Sequence, residues 1–420
     1  MKELLHRINE GLHDMCYIWL KEIKMAVKDE GVLIFFILVP LLYPLLYSWI
    51  YNNEVVRDIP VAVVDKSHSA TSRQFLRMYD ASPDVKVAYH CDNLEEAKVL
   101  IGKQQVYGVV YIPSDFENKL NRMEQTTISV YCDMSFMLAY KAIYQTATSV
   151  QSEMNSQIQI RLAQNTTSRQ DEITTQPLAY EAVQIFNPTG GYGSFIIPVV
   201  LILIIQQTLL LGIGLSAGTA RENNRYKDLV PISKHYNGIF RIVFGKALCY
   251  FMIYAVLSAY LLLIVPKIFN FTTLLEWKPL LLLMLPYLLA VIFFAMMLSC
   301  VVRYRENVLL LVVFTSVPLL FLSGASWPQS NIPGAWKAIS YLFPSTFGIQ
   351  GFVRLNSMGA SLSEIQFEYS ALWLQTLVYF LMTCLVYRFQ INQARTHAID
   401  RLSTMRDKAL KARHSKPQEA

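Results

Sequence analysis

The sequence predicts an α-helical polytopic membrane protein with six transmembrane helices and an α/β domain inserted between the first two. Hydrophobic residues make up 53% of the 420 residues, and they are concentrated in long runs. Each run approaches the roughly 20 residues that cross a bilayer core. The runs are continuous rather than alternating, which indicates helices, because only helices and closed barrels satisfy the backbone in lipid. The segment between the first two runs instead alternates strand and helix patterns.

Six apolar runs define the predicted transmembrane helices, and none of them contains Asp or Glu. The runs are residues 32–51, 195–217, 242–265, 280–302, 308–322 and 371–387. The last five runs and their connecting loops form one membrane region, 195–387. The first run is too long for a cleaved signal peptide and no small-residue cleavage site follows it, so we expect a retained signal anchor.

The distribution of basic residues predicts the orientation. Lys and Arg are concentrated in four segments that six spans would place on one side: 1–31, 218–246, 303–305 and 388–420. By the positive-inside rule, both termini, including the basic tail 388–420, are expected in the cytoplasm, and the segment 52–194 outside. The net charge of +6 then requires no nucleic acid as a partner, because basic segments beside a membrane meet anionic lipid.

The cytoplasmic segment 1–31 is predicted to contain an amphipathic helix over residues 3–24. Apolar residues recur there at spacings of three and four: Leu5, Ile8, Leu12, Met15 and Trp19. Such a helix just before a span is expected to lie in the membrane interface. A simple anchor and a contact surface for a cytoplasmic partner are both compatible with this pattern.

The inserted segment 52–194 has the pattern of a small α/β or α+β domain followed by a helical arm. Its β-branched and aromatic runs predict strands at 59–64, 85–89, 106–112 and 127–131. Helices are predicted at 71–79 after the cap cluster 65–69, at 93–101 opened by Asp92, and over 135–164. The strand order stays open. The pairing of Cys91 with Cys132 also stays open, because a disulfide requires an oxidising compartment.

The sequence lacks the motifs of an enzyme. Two Gly-Lys pairs, Gly102-Lys103 and Gly245-Lys246, are followed by Gln and Ala, whereas a phosphate-binding loop ends in Gly-Lys-Ser/Thr. No HExxH, no GxSxG and no Cys/His cluster at metal-ligand spacing occurs in the sequence. We therefore expect no catalytic residue, no metal and no cofactor in this chain.

The predicted spans also lack the carboxylates that ion-coupled transporters keep near the bilayer midplane. Gln206, Gln207 and Gln375 are expected to form interhelical hydrogen bonds, and Lys246 lies near a cytoplasmic helix end. A translocation path between such apolar spans would suit an amphipathic or lipid-like molecule better than a sugar or an ion. Energy for transport would then come from another chain.

A charged segment after the second span resembles a known family. Residues 221–233 read RENNRYKDLVPIS, and Gly245-Lys246 follows at the start of the third span. This arrangement resembles the charged cytoplasmic loop of ABC-2-type permeases. It departs from the family pattern by Asn224 in place of the usual Gly and by the lack of a Thr before Pro231.

Two further segments resemble the same family. Before the last span, residues 322–328 (LSGASWP), 332–336 (IPGAW) and 341–346 (YLFPST) are closed by Arg354. This series is similar to the segment that precedes the last span of ABC-2-type permeases. Residues 59–65 (IPVAVVD) resemble the start of the outer domain in the subgroup with a large extracytoplasmic domain between the first two spans.

The resemblance implies a working arrangement. Two such permeases, identical or paralogous, form the translocation unit, and each binds a separate cytoplasmic ABC ATPase that holds the ATP. The loop 218–241 would be the coupling element, and its candidate contacts are Arg221, Glu222, Arg225 and Asp228. From charge alone, a solvated loop explains these four residues equally well.

The resemblance also suggests an outer gate. The segment 323–354 would form a re-entrant hairpin on the outer face, where non-helical backbone is tolerated beside protein. The candidate gate residues are Trp327, Pro328, Pro344 and Arg354.

Two functions are compatible with the sequence. The first is the permease subunit of an ABC exporter in a bacterial inner membrane, moving hydrophobic or amphipathic, drug- or lipid-like molecules outward. The outer domain would then meet a periplasmic adaptor or shape the exit. The alternative is an ATPase-independent membrane surface protein whose outer domain binds an envelope partner.

Overall fold

The computed structural model describes residues 2–163, 167–178, 183, 185–188, 190–222, 238–299 and 304–414. The chain forms two compact units. The membrane unit is built from two segments, Met1–Asn52 and Phe186–Ala420, and the inserted unit is the intervening Asn53–Ile185.

The membrane unit begins with two consecutive helices, α1 (Lys2–Lys28) and α2 (Glu30–Ile50). Asp29 separates them and caps α2. Its carboxylate accepts hydrogen bonds from the Gly31 and Val32 N–H groups at 3.1 and 3.3 Å. Such a cap satisfies N–H groups that have no partner within the helix. The amphipathic pattern therefore ends in a defined break immediately before the first span.

The inserted unit contains a four-stranded mixed sheet in the order β2-β1-β3-β4. Its strands are β1 (Ile59–Asp65), β2 (Val85–His90), β3 (Gly108–Ile112) and β4 (Ser129–Cys132). Its helices are α3 (Ala70–Asp80), α4 (Leu94–Gly102), α5 (Phe116–Asn121), α6 (Met137–Ala163) and α7 (Ser168–Thr175). β1 is parallel to both neighbours, and β4 is antiparallel to β3. Helices connect the parallel strands, so the unit is an α/β fold with one antiparallel edge strand.

The central strand β1 is buried on both faces. Val61 and Val63 belong to the core formed with α3 and α6, whereas Ala62 and Val64 belong to the core formed with α4. A strand covered by helices on both faces has a continuous apolar run rather than an alternating one. This burial explains why the segment beginning at Ile59 has so strong a strand signal.

The predicted start of the second domain helix is wrong by one residue. α4 is capped by Asn93, whose side chain accepts a hydrogen bond from the Glu96 N–H at 2.8 Å, and not by Asp92. Asp92 instead donates its backbone N–H to the Glu96 carboxylate at 3.1 Å. Asp and Asn are both favourable N-cap residues. Asn93 is the cap here because its backbone has the extended conformation of an N-cap residue.

The structure excludes the Cys91–Cys132 disulfide. Both cysteines are free thiols. Cys91 follows β2 and Cys132 ends β4, which form opposite edges of the sheet. Three strand spacings of about 4.8 Å separate these edges, whereas a disulfide needs Cα atoms within about 7 Å. Burial raises the pKa of both thiols, which keeps them in the unreactive protonated form at neutral pH.

The remaining helices of the membrane unit follow the inserted unit along the chain. They are α8 (Tyr192–Glu222), α9 (Ile239–Ile268), α10 (Trp277–Ser299), α11 (Arg305–Leu322), α12 (Gly334–Ser340), α13 (Pro344–Met358) and α14 (Gln366–His414). Within the described residues, six helices are long and apolar enough to cross a membrane: α2, α8, α9, α10, α11 and the first half of α14. The prediction of six spans is confirmed.

The helices extend beyond the apolar runs that predicted them. Glu30, Glu306 and Glu368 lie in the first turns of α2, α11 and α14. The absence of Asp and Glu is thus a property of the apolar runs and not of the whole helices. Carboxylates are favourable beside the positive end of the helix dipole, so a helix can begin before the hydropathy signal does.

α8 is the central helix of the membrane unit. Its apolar stretch is 94% buried, against 28% for α2 and 17% for α11. Two glycines allow neighbours to approach it closely. A Cβ at Gly212 would lie 1.8 Å from the Phe36 ring of α2, and one at Gly214 would lie 2.6 Å from Val308 of α11. Small residues at helix contacts are what close packing in membranes requires.

Candidate functional site: an ion-paired cluster at the N-terminal helix

The amphipathic helix α1 packs closely against α9 of the membrane bundle. Ile18 of α1 is fully buried in this contact. A Cβ on Gly245 of α9 would lie 3.0 Å from the Ile18 Cβ and 3.2 Å from the Met15 carbonyl oxygen. Only a glycine at position 245 permits this approach without movement of α1.

A buried ion pair lies one residue further along α9. Lys246 contacts the Glu22 carboxylate of α1, and their side chains are 5% and 2% exposed. The Tyr250 hydroxyl donates a hydrogen bond to the other Glu22 oxygen at 3.1 Å. Two charges removed from water are stable only when geometry and extra hydrogen bonds compensate the lost hydration. The Gly245-Lys246 pair therefore has two structural roles, close contact and charge pairing with α1.

A second ion pair joins the same two helices nearer the start of α1. The Arg241 Nη1 atom lies 2.7 Å from Asp14 Oδ2, and the two side chains are 30% and 11% exposed. Arg241 belongs to the first turn of α9. This pair therefore fixes the beginning of α9 against α1.

A third ion pair lies where four helix ends meet. Asp29 lies between α1 and α2, and its carboxylate is 2.8 Å from the Arg305 guanidinium at the start of α11. Thr219, in the last turn of α8, donates its hydroxyl to Asp29 Oδ2 at 3.1 Å. Burial alone would raise the pKa of Asp29. The Val32 N–H, the charge of Arg305 and the Thr219 hydroxyl outweigh burial and hold the pKa below 3.8.

Two glycines make room for the Arg305 side chain and backbone. A Cβ at Gly31 would lie 2.2 Å from Arg305 Nη2, and a Cβ at Gly218 would lie 3.1 Å from Arg305 Cα. We name the six charged residues of these three pairs the α1 ion-pair cluster: Asp14, Glu22, Asp29, Arg241, Lys246 and Arg305.

The predicted coupling residues adjoin this cluster in the chain. Arg221 and Glu222 are the last two residues of α8, directly after the turn that holds Thr219. Arg225 and Asp228 lie outside the described residues. The segment 223–237 leaves α8 and leads to α9, and the α1 ion-pair cluster holds both of these helix ends.

The predicted gate residues differ in their surroundings within the described part of the chain. Trp327 and Pro328 are exposed before α12, whereas Pro344 is the first residue of α13 and is buried. Arg354 of α13 pairs with Glu368 of α14 at 3.1 Å, and Glu368 is 4% exposed in this pair. Arg354 thus joins two helices of the bundle.

The predicted interhelical role of two glutamines is confirmed. Gln206 of α8 donates to the Ser345 hydroxyl at 3.0 Å and accepts from the Ser345 N–H at 2.7 Å. Gln375 of α14 donates to the Tyr341 carbonyl at 2.8 Å. Gln207 is buried, and its amide has no hydrogen-bond partner within the described part of the chain.

Sequence reasoning missed the acidic half of the α1 ion-pair cluster. Asp14 and Glu22 are eight residues apart, which returns them to about the same side of α1, and Asp29 follows seven residues later in the break before α2. This spacing could have indicated that the N-terminal helix has a charged face that contacts another part of the chain. Their basic partners, by contrast, lie more than two hundred residues away, and no local pattern indicates such pairing.

The fold and this cluster define a class of protein: a polytopic helical membrane protein whose amphipathic N-terminal helix is ion-paired to the bundle. The chain belongs to the family described as ABC-2 family transporter protein, whose model matches residues 31–385. Members of this family are membrane components without a nucleotide-binding domain of their own, and they generally work with a cytoplasmic ABC ATPase. No curated protein matches the chain.

Proposed function

We propose that this chain is the permease subunit of an ABC exporter that moves hydrophobic or amphipathic, drug- or lipid-like molecules outward. A separate ATPase subunit would bind the ATP and supply the energy. Family membership supports a transporter component. The observation that carries the mechanism is the α1 ion-pair cluster, which holds both helix ends that flank the segment 223–237.

The proposed mechanism is transmission of movement through this cluster. The ATPase would contact the coupling residues Arg221, Glu222, Arg225 and Asp228. α9 is ion-paired to α1, and α8 is hydrogen-bonded through Thr219 to the Asp29 carboxylate, which pairs with Arg305 of α11. A force on the segment 223–237 would therefore move these helices and not side chains alone. Such rigid-body shifts of packed elements are the usual way in which a local change becomes an inward- or outward-open state.

The proposed translocation unit contains a second copy or a paralogue of this chain. α11 supports this proposal because only 17% of its apolar stretch is buried within the chain. Its exposed residues form an apolar face suited to another helix or to lipid: Leu310, Val313, Phe314, Val317 and Phe321. The lack of Asp and Glu in the six apolar runs favours a hydrophobic cargo over an ionic one.

The proposed location is a bacterial inner membrane, with both termini in the cytoplasm. The basic tail and the basic segment around 218–246 support this orientation. The inserted unit would then lie outside, where a periplasmic adaptor could meet it.

Affinity purification from native membranes tests this proposal. We expect an ATP-hydrolysing subunit to co-purify with the native chain and to be lost with the double variant Glu222→Ala, Asp228→Ala. The matched control is Asp92→Ala, Glu95→Ala, which removes the same charge from the inserted unit. If no ATPase co-purifies even after crosslinking in intact membranes, the chain is an ATPase-independent surface protein instead.

A further inference from the structure

The inserted unit contains a cavity of about 790 Å³ that none of the roles above uses. It lies between α6, α5 and β4, and the segment 124–127 between α5 and β4 forms one side. Phe75 and Phe116, both almost fully buried, form part of its lining. The volume is within the range of roughly 300–1,000 Å³ that small-molecule sites occupy.

One face of α6 gives the cavity both apolar and polar groups. Residues that are three or four apart lie on the same side of a helix. On this side Ala147, Met154 and Ile158 supply apolar surface, and Gln151 and Asn155 supply amide groups. An apolar body with a hydrogen-bonding end would match this lining, whereas a pure hydrocarbon would leave the amides without partners.

The charge of the lining limits the ligand further. Among the described lining residues, Glu124 carries the one charged side chain, and no Lys, Arg or His is present. An anionic ligand would meet a carboxylate and find no cation, which disfavours phosphates and carboxylates.

We propose that this cavity binds an uncharged amphipathic small molecule, with its apolar body against Leu120, Tyr144 and Ile158, which keep accessible surface. Its hydroxyl or amide end meets the Gln151 and Asn155 amides of α6. This proposal does not depend on export, because it rests on the inserted unit alone.

Photo-crosslinking of the full chain in lipid nanodiscs tests the proposal. The probe is a diazirine derivative of hexyl glucoside, which is uncharged and amphipathic, and labelled peptides are located by mass spectrometry. The blocking variant is Gln151→Trp, which puts an indole into the cavity from an exposed helix position. The matched control is Gln145→Trp, an exposed position of the same helix outside the lining.

We expect saturable labelling within residues 116–159 that hexyl glucoside displaces and hexyl phosphate does not. Gln151→Trp should reduce this labelling by about ten-fold, equivalent to ~1.4 kcal/mol of binding, and Gln145→Trp should leave it unchanged. Asn155→Leu, which removes one amide from the lining, should raise the half-saturating probe concentration by roughly five-fold. Labelling that is absent from these residues, insensitive to Gln151→Trp, or displaced equally by hexyl phosphate would overturn the proposal.

Discussion

Lysine and glutamate are rarely buried unless each has a charged partner, and Lys246 and Glu22 are 5% and 2% exposed in their mutual contact. Removal of one partner leaves the other charge buried and alone. Removal of both leaves two neutral groups of similar size. The free energy of unfolding should therefore respond very differently to single and double substitution at these two residues.

We predict that Glu22→Gln and Lys246→Met each lower the free energy of unfolding by about 3–5 kcal/mol. The double variant should lose less free energy of unfolding than the two single variants combined, because neither charge remains to be buried alone. Thermal unfolding of the four proteins in detergent measures this cycle. Glu95→Gln is the control, because its pair with Lys98 is 80% and 58% exposed and such a pair contributes ~1 kcal/mol at most. Additive losses at positions 22 and 246 would contradict the prediction.

The contribution of Asp29 to the stability of the fold depends on pH differently from that of an ordinary surface carboxylate. Its pKa in the folded chain lies below 3.8, so its contacts stabilise the fold fully above that value. This contribution is lost only as the pH falls through the lowered folded-state pKa. The ion pair with Arg305 is thus fully formed at neutral pH.

We predict that Asp29→Asn destabilises the chain by ~1–3 kcal/mol, because the Arg305 and Thr219 contacts weaken. The difference between the native chain and this variant should stay constant from about pH 7 to about pH 5 and shrink only below about pH 4. Melting temperatures recorded across this range check it. A difference that already shrinks between about pH 7 and pH 6 would show that another group controls the pair.

At the scale of elements, the six spanning helices could be predicted because each contains a local apolar run. Their ends could not, as Glu368 shows: it lies in the first turn of α14, before the hydropathy signal starts. The strand order was also beyond local patterns. Each strand is recognisable alone, yet the central position of β1 depends on two crossovers that only the folded unit reveals.

The packing of α2 on α8 gives a prediction at this scale. A methyl group at Gly212 would overlap the Phe36 ring, so Gly212→Ala should destabilise the bundle by ~1–3 kcal/mol despite the higher helix propensity of Ala. Gly334→Ala is the matched control, because a methyl group there has nothing within 4 Å. Thermal unfolding in detergent compares the two variants, and equal melting temperatures would contradict the close α2–α8 contact.

At the scale of the whole molecule, the sequence indicates both partners of the proposed coupling route but not their connection. The resemblance draws attention to the segment 221–233 and to Gly245-Lys246, and the spacing of Asp14, Glu22 and Asp29 is visible in the printed chain. Their pairing is a long-range contact, and the sequence contains no local feature that specifies it. The α1 ion-pair cluster forms only in the folded chain, where α1 packs against α9 and the Asp29 carboxylate contacts Arg305.

The most direct test of the account is a charge exchange at Asp14 and Arg241 in membrane vesicles that contain the chain and its co-purified ATPase. Arg241→Glu should retain the ATPase but reduce ATP-driven transport of an uncharged amphipathic dye by about ten-fold, since the start of α9 is released from α1. Adding Asp14→Arg should restore transport, because the exchanged charges again attract α1 and the start of α9. Lys98→Glu serves as the charge-matched control. Native-like transport by Arg241→Glu, or no recovery in the exchanged pair, would contradict coupling through the α1 ion-pair cluster.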